Sequence, residues 1–192
     1  MKGLYVVLGI LLLLVLMGGC SYNGMNKMRG DVDEKWANVQ SSYQRRSDLI
    51  PNLVATVKGV ADFEKTTLTQ VIEARASATK MTVNANDLTA EKLQQFQQSQ
   101  GQLSQALGRL MVVAEQYPQL KANQNFTQLQ DQLEGTENRI KVARDEYNAV
   151  VKTYNVKITS FPQVMYAGMF GFTKKPWFEA DKGAEKAPAV QF

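Results

Sequence analysis

The sequence predicts an all-α protein: a long antiparallel bundle of about four helices, preceded by an N-terminal membrane signal or anchor segment. Three observations carry this expectation. Apolar residues beyond position 25 recur at helical spacing, and no stretch alternates as a strand does. Two long heptad-like seams occupy the second half of the chain. An apolar run follows directly on a positively charged start.

The start of the chain comes first. Lys2 and the α-amino group precede residues 4–17, which are apolar apart from Tyr5 and Gly9. Gly18 and Gly19 then lead into Cys20, the only cysteine. A charged start, an apolar run and small residues before a cut form the layout of a secretory signal. Met17-Gly18-Gly19-Cys20 resembles a bacterial lipoprotein signal, in which the cysteine becomes the lipidated first residue of the mature chain; leucine is usual where Met17 stands. A retained transmembrane helix over residues 4–22 also fits, close to the roughly 20 residues a bilayer requires. A signal removed without a lipid is the third alternative. The first two readings both attach the chain to a membrane. A lipoprotein lies on the periplasmic side, whereas a single-pass anchor can face either way because Lys27 and Arg29 compete with Lys2. The expected organisation is a signal or anchor segment at 1–20, a helical domain at 22–179 and a loose polar tail at 180–192.

Residues 25–80 form the first half of the bundle. Met28, Val32, Val39 and Tyr43 share a face, with Trp36 near it. Ser47 or Asp48 can cap a new start, and Pro51 falls in the first turn after it, so a kink or short break is expected near 47–51. A helix to about Thr79 follows, with Ile50, Leu53, Val54, Val57, Val60, Leu68, Val71 and Ile72 on its apolar face. Residues 81–87 read as a polar connection.

In the next helix Leu93, Phe96, Gln100, Leu103, Leu107, Leu110, Ala114 and Tyr117 make the seam, with Asp87 as the expected cap and Pro118 as the stop. Gln100 on that seam is suited to fixing register. Gly101 and Gly108, seven apart, leave room for a close neighbour. Glutamines at 94, 95, 97, 98, 100, 102 and 105 read as a solvated face of good helix formers, or as a polar interaction surface. The last long helix carries Phe126, Leu129, Leu133, Thr136, Ile140, Ala143, Tyr147, Val150 and Tyr154 at alternating steps of three and four. Asn125 is its expected N-cap, with Gln128 placed as a capping-box partner. Four long helices with short links favour an antiparallel bundle.

Composition excludes whole classes of chemistry. The chain has no histidine, the commonest general acid or base and metal ligand. Ser-His-Asp and Cys-His nucleophiles are therefore excluded, and one cysteine allows no intramolecular disulfide. The net charge of +4 mixes both signs without a basic run, which argues against a nucleic-acid partner. Glu134 and Glu137 lie three apart, as metal-binding carboxylates would. Without histidine or a second carboxylate pair they make no metal site, and Lys141 one turn from Glu137 accounts for its charge. No catalytic, cofactor-binding or metal-binding residue is assigned, and no enzyme activity is expected.

Several longer strings are distinctive. They are Tyr43-Gln44-Arg45-Arg46-Ser47-Asp48-Leu49-Ile50-Pro51-Asn52-Leu53-Val54, Val57-Lys58-Gly59, Glu73-Ala74-Arg75-Ala76 and Tyr117-Pro118-Gln119-Leu120-Lys121-Ala122-Asn123. Leu133-Glu134-Gly135-Thr136-Glu137-Asn138-Arg139-Ile140, Ala143-Arg144, Tyr147-Asn148, Tyr154-Asn155, Phe161-Pro162 and Gly171-Phe172 follow in order. Together they resemble the LemA family across roughly residues 22–179. The resemblance implies a LemA-like bundle with an N-terminal membrane anchor, in bacteria, and no known enzymatic activity. It also implies kinship with a protein needed for magnetosome membrane formation, and an envelope membrane-protein partner such as a metalloprotease. Many members carry a plain transmembrane segment, and Gly18-Gly19-Cys20 departs from that pattern.

The candidate interaction or structural residues are Arg45, Arg46, Asp48, Phe170, Phe172 and Trp177, with Cys20 as the lipidation site. Arg45, Arg46 and Asp48 flank the expected kink, as an ion-pair network or as a basic anion-binding spot. Beyond Phe161-Pro162 the heptad stops. Met165, Tyr166, Met169, Phe170, Phe172, Trp177 and Phe178 then read as a hydrophobic cap on the bundle end or as a patch for a membrane or a second subunit. Two functions compete: a non-enzymatic, membrane-tethered scaffold or adaptor of the cell envelope that forms homo-oligomers, and a lipid-binding or membrane-remodelling module that self-assembles on a membrane.

Overall fold

One helix continues from the apolar start into the amphipathic stretch behind it, through the poor helix formers Gly18, Gly19, Cys20, Ser21, Asn23 and Gly24. The computed structural model describes residues 2–59 and 63–179; for Lys2, Val6, residues 10–17 and Cys20 it describes the backbone alone. Lipidation at Cys20, most of the apolar run, Val60 and the tail at 180–192 therefore lie outside what is described. Among the described residues there are helices and no strand. Also among them, no helix is long and apolar enough to cross a membrane.

Helix α1 spans Lys2–Lys58, 57 residues in one piece or about 85 Å at 1.5 Å per residue. α2 covers Lys65–Lys80, and a 3-10 turn at Ala85–Asp87 leads to α3, Ala90–Ala114. The one-turn α4, Pro118–Lys121, precedes α5, Gln124–Thr159, and a short α6, Gln163–Ala167. Pairings between helices set the directions. Lys35 meets Glu146 and Arg46 meets Glu137, so α1 and α5 are antiparallel. Trp36 packs on Phe96 and Arg46 bonds Ser104, so α3 runs with α1. Arg75 reaches back to Ser47, so α2 runs against α1. The result is an up-down-up-down four-helix bundle in which α2 is the short member.

The expected break near 47–51 does not occur: α1 passes through Pro51 without interruption. Proline lacks the N–H that would bond the carbonyl of Ser47 one turn earlier. The Arg75 Nε–H of α2 donates to that carbonyl instead, at 2.9 Å. A neighbouring helix thus supplies the missing donor, and the helix continues. The break falls later, after Lys58, where Gly59 donates to Ala55 and the chain turns back to begin α2 at Lys65. The single helix expected from 51 to Thr79 is therefore two. Ile72, expected on the apolar face, is exposed.

The expected caps shift by two residues. Thr89, not Asp87, caps α3 by accepting from Lys92 N–H, while Asp87 closes the 3-10 turn. Asn123, not Asn125, caps α5 and accepts from the N–H groups of Asn125 and Phe126. α3 ends at Ala114, and Pro118 opens α4, where its missing N–H costs nothing. Gly101 and Gly108 face open space, with no neighbour within 4 Å of a built Cβ. Both seams are otherwise as read: eight of the nine α5 positions are buried, with Val150 half-buried beside buried Val151.

The core has two apolar halves. One gathers Trp36, Tyr43, Phe96, Tyr147, Tyr154 and Phe178 near the N-terminal half of the bundle. The other gathers Ile50, Leu53, Leu103, Leu110, Leu120 and Leu133. Residues 81–87, read as a polar connection, bury Val83, whose carbonyl accepts from Trp36 Nε1 and Gln40.

Candidate functional site

Between the two apolar halves lies a polar layer centred on Arg46, which is 1% exposed. Its Nη1 donates to Ser104 at 2.7 Å and to Glu137 at 2.8 Å. Its Nη2 donates to both oxygens of Gln100, at 2.6 Å to the side chain and 3.2 Å to the backbone. The guanidinium also lies over the Tyr43 ring. Gln100 in turn donates to the carbonyl of Ala78. One arginine and one glutamine thereby join α1, α3 and α5, and reach the end of α2. A charge buried at this depth needs such acceptors, and with the Ala78 carbonyl they come from three separate helices, an arrangement suited to fixing register.

The three motif residues around 45–48 are not one network. Arg45 and Asp48 are exposed, and Asp48 accepts from Gln44 one turn back. Arg46 pairs across the bundle with Glu137, so Lys141 is not that carboxylate's partner. Spacing along one helix pointed to local pairing; the inward direction of position 46 decided otherwise. Glu134 is exposed and accepts weakly from Gln130. No cluster of three His, Cys, Asp or Glu residues occurs among the described residues.

The second arrangement is a strap. After Gly171, at φ +72°, residues 172–179 run extended along α5. Asn155 donates to the carbonyl of Lys175 at 2.8 Å and accepts from its N–H at 2.9 Å. Asn148, seven residues back, does the same for Phe178 at 3.0 and 2.8 Å. Each carboxamide presents a donor and an acceptor as a peptide group does, so two asparagines two turns apart imitate a strand partner. Tyr147 hydroxyl donates to the Pro176 carbonyl. Burial pushes that phenol well above its ordinary value, with the Asp33 charge adding to the effect. Burial likewise raises Tyr43, and the Arg144 and Arg46 charges work against it.

The strap divides the aromatic residues. Phe178 is buried against Trp36 and Tyr147, with Arg144 over its ring. Phe172 is buried beneath Arg29. Phe170 is partly exposed and packs edge-on against Tyr22, while Trp177 is half exposed on the strap. The terminal segment is thus both a cap, through Phe172 and Phe178, and an open apolar surface. Sequence reading missed Asn148 and Asn155 as strap ligands. Their only signal was a heptad spacing beside two seam tyrosines.

Alongside the strap, α3 and α5 separate into an open groove of about 1600 Å³. Glutamines 94, 98, 102 and 105 form one wall, Arg144 and Lys152 the other, and Arg46 with Glu137 the floor. The glutamine face is therefore neither wholly solvated nor wholly buried. It is a polar wall suited to hydrogen bonding.

These features define a class: an all-helical bundle with a buried polar layer between two apolar halves and an open polar groove. The chain belongs to the LemA family, whose sequence profile matches residues 35–192. It is similar to Magnetosome protein MamQ 2 of Paramagnetospirillum magneticum, 27% identical over 188 residues, covering 88% of this chain and 68% of the relative. Magnetosome protein MamQ of Magnetospirillum gryphiswaldense is 28% identical with the same coverage. Protein LemA of Metamycoplasma hominis is 22% identical over 139 residues, covering 72% of this chain and 60% of the relative.

Proposed function

We propose that this chain is a non-enzymatic, membrane-tethered scaffold or adaptor of the bacterial cell envelope. The observation that carries it is the continuity of α1: the apolar start and the bundle's central strut are one helix, with no hinge between them. A tether at the N-terminus then holds the groove and the strap at a set height and orientation over the membrane. Kinship with relatives named as magnetosome proteins accords with a membrane-associated role. In this reading Cys20 carries the lipid and the bundle stands on the periplasmic side, with a retained single-pass helix as the alternative anchor. The groove receives a second copy or an envelope membrane protein such as a metalloprotease.

Photo-crosslinking from Gln98, on the groove wall, tests the reading in native membranes with the full chain. Light scattering of the detergent-solubilised protein runs in parallel. The expected outcome is a discrete crosslinked species that is lost when Gln102 is replaced by a bulky tryptophan. A strictly monomeric chain with no crosslinked species refutes the scaffold reading.

A further inference from the structure

The turn around α6 carries apolar side chains that the bundle does not use. Phe161, Met165 and Met169 are 79%, 62% and 81% exposed, and Val164 is half exposed. This surface sits against the base of α1. A ring carbon of Tyr166 lies 3.7 Å from a Cβ built on Gly18, and Phe170 rests on Tyr22 with ring centroids 5.2 Å apart. Tyr166 in turn stacks over Phe170. The exposed methionines and phenylalanine therefore lie level with residues 18–22, where the apolar run of the sequence ends.

That level is the membrane surface under either anchor. A lipid on Cys20 would place residue 20 at the bilayer; a spanning helix over residues 4–22 would place residue 22 there. Charge points the same way. Residues 1–30 and 160–178 contain no Asp or Glu, and Lys27 and Arg29 follow Tyr22 on α1, whereas Lys174 and Lys175 line a cleft with Asp87 and Glu91 and the Lys175 ammonium donates to the Ala85 carbonyl. A base that is apolar, carries Lys27 and Arg29 and has no carboxylate in its own segments complements an anionic bilayer, and tyrosines at its edge suit the headgroup level. A polar partner would leave this much apolar surface unmatched.

We propose that the α6 turn is a membrane foot: Phe161, Val164, Met165 and Met169 seat in the headgroup–acyl boundary of an anionic bilayer beside the base of α1. This rests on the tethered reading above and adds a second contact to it. The bundle then stands on two points, which restrains its tilt and rotation about the tether.

Tryptophan quenching by brominated acyl chains tests it, with the full chain reconstituted in phosphatidylcholine vesicles containing phosphatidylglycerol. Met169→Trp reports on the foot. Val112→Trp, exposed toward the far end of α3, reports on a surface far from the membrane. Emission of the unsubstituted chain, from Trp36 and Trp177, is subtracted. The expected result is several-fold stronger quenching of the added emission at 169 than at 112, reduced when phosphatidylglycerol is omitted. Flotation of the same samples reports the tether separately. Protein that floats with equal quenching at both positions overturns the foot and leaves the tether standing. A blue-shifted, unquenched Trp at 169 assigns the patch to a second copy and also overturns it. Protein that does not float overturns both.

Discussion

The strap is held by side chains that imitate backbone, and this makes its stability separable from that of the bundle. Asn148→Ala and Asn155→Ala each remove two hydrogen bonds to an extended segment. At a net 0.5–1.5 kcal/mol per bond, each substitution costs the docked strap about 1–3 kcal/mol. Local opening then becomes about 5- to 150-fold more frequent for each change. Amide hydrogen exchange reads this directly, because the Lys175 and Phe178 N–H groups are themselves the donors to Asn155 and Asn148. In Asn155→Ala the Lys175 amide loses its acceptor. If the strap opens as one unit, the Phe178 amide, still bonded to Asn148, also exchanges faster. In the double variant both accelerate further, and Phe178 leaves its place against Trp36 and Tyr147. Amides in the middle of α5 should change little, since local and global opening differ in free energy. Unchanged exchange at Lys175 and Phe178 in the double variant would falsify the assignment of these asparagines as strap ligands.

Two further predictions rest on other contacts. Arg75→Met should lower stability to urea by about 1–2 kcal/mol by leaving the Ser47 carbonyl without a donor. In a Pro51→Ala background, where residue 51 regains its own N–H, the same change should cost clearly less; equal costs in both backgrounds would show that Arg75 does not replace the missing helix bond. Stability should be insensitive to pH near neutrality, where no histidine titrates, and should fall as pH rises above about 10. The sign follows from Tyr43 and Tyr147, whose folded-state values lie above the ordinary 10.0, so the unfolded chain loses these protons first. Tyr147→Phe should flatten that alkaline decline, as measured by thermal unfolding across the range, and an unchanged decline would remove Tyr147 as its source.

Much of the architecture was legible in the amino-acid pattern, because helical burial repeats at fixed spacing. Leu93, Phe96, Leu103, Leu107 and Leu110 are buried as their spacing requires, and so are Phe126, Leu133, Ile140, Tyr147 and Tyr154. The cap positions were less legible. Asp87 and Asn125 have the right chemistry, but Thr89 and Asn123 have it too, and the loop path selects between them. Pro51 was misread as a breaker, since the remedy for its missing hydrogen bond comes from Arg75 on another helix. Of the three motif residues at 45–48, Arg46 proved to be the buried one, while Arg45 and Asp48 point outward. Adjacent residues on a helix point about 100° apart, and only the packing of α3 and α5 makes one of those directions the interior.

The sequence by itself determined the helical class, the two seams and the absence of histidine chemistry, because these depend on composition and on a period of 3.6 residues. It also showed the membrane-like start and the family strings. The tertiary structure alone decided which polar residues meet. Arg46 with Glu137, Arg75 with Ser47 and Asn155 with Lys175 join separate elements of the chain. It also decided that the α6 turn lies beside Gly18, although 148 positions separate Gly18 from Tyr166 in the chain. Such partnerships follow from how the chain folds back on itself, and no local spacing encodes them.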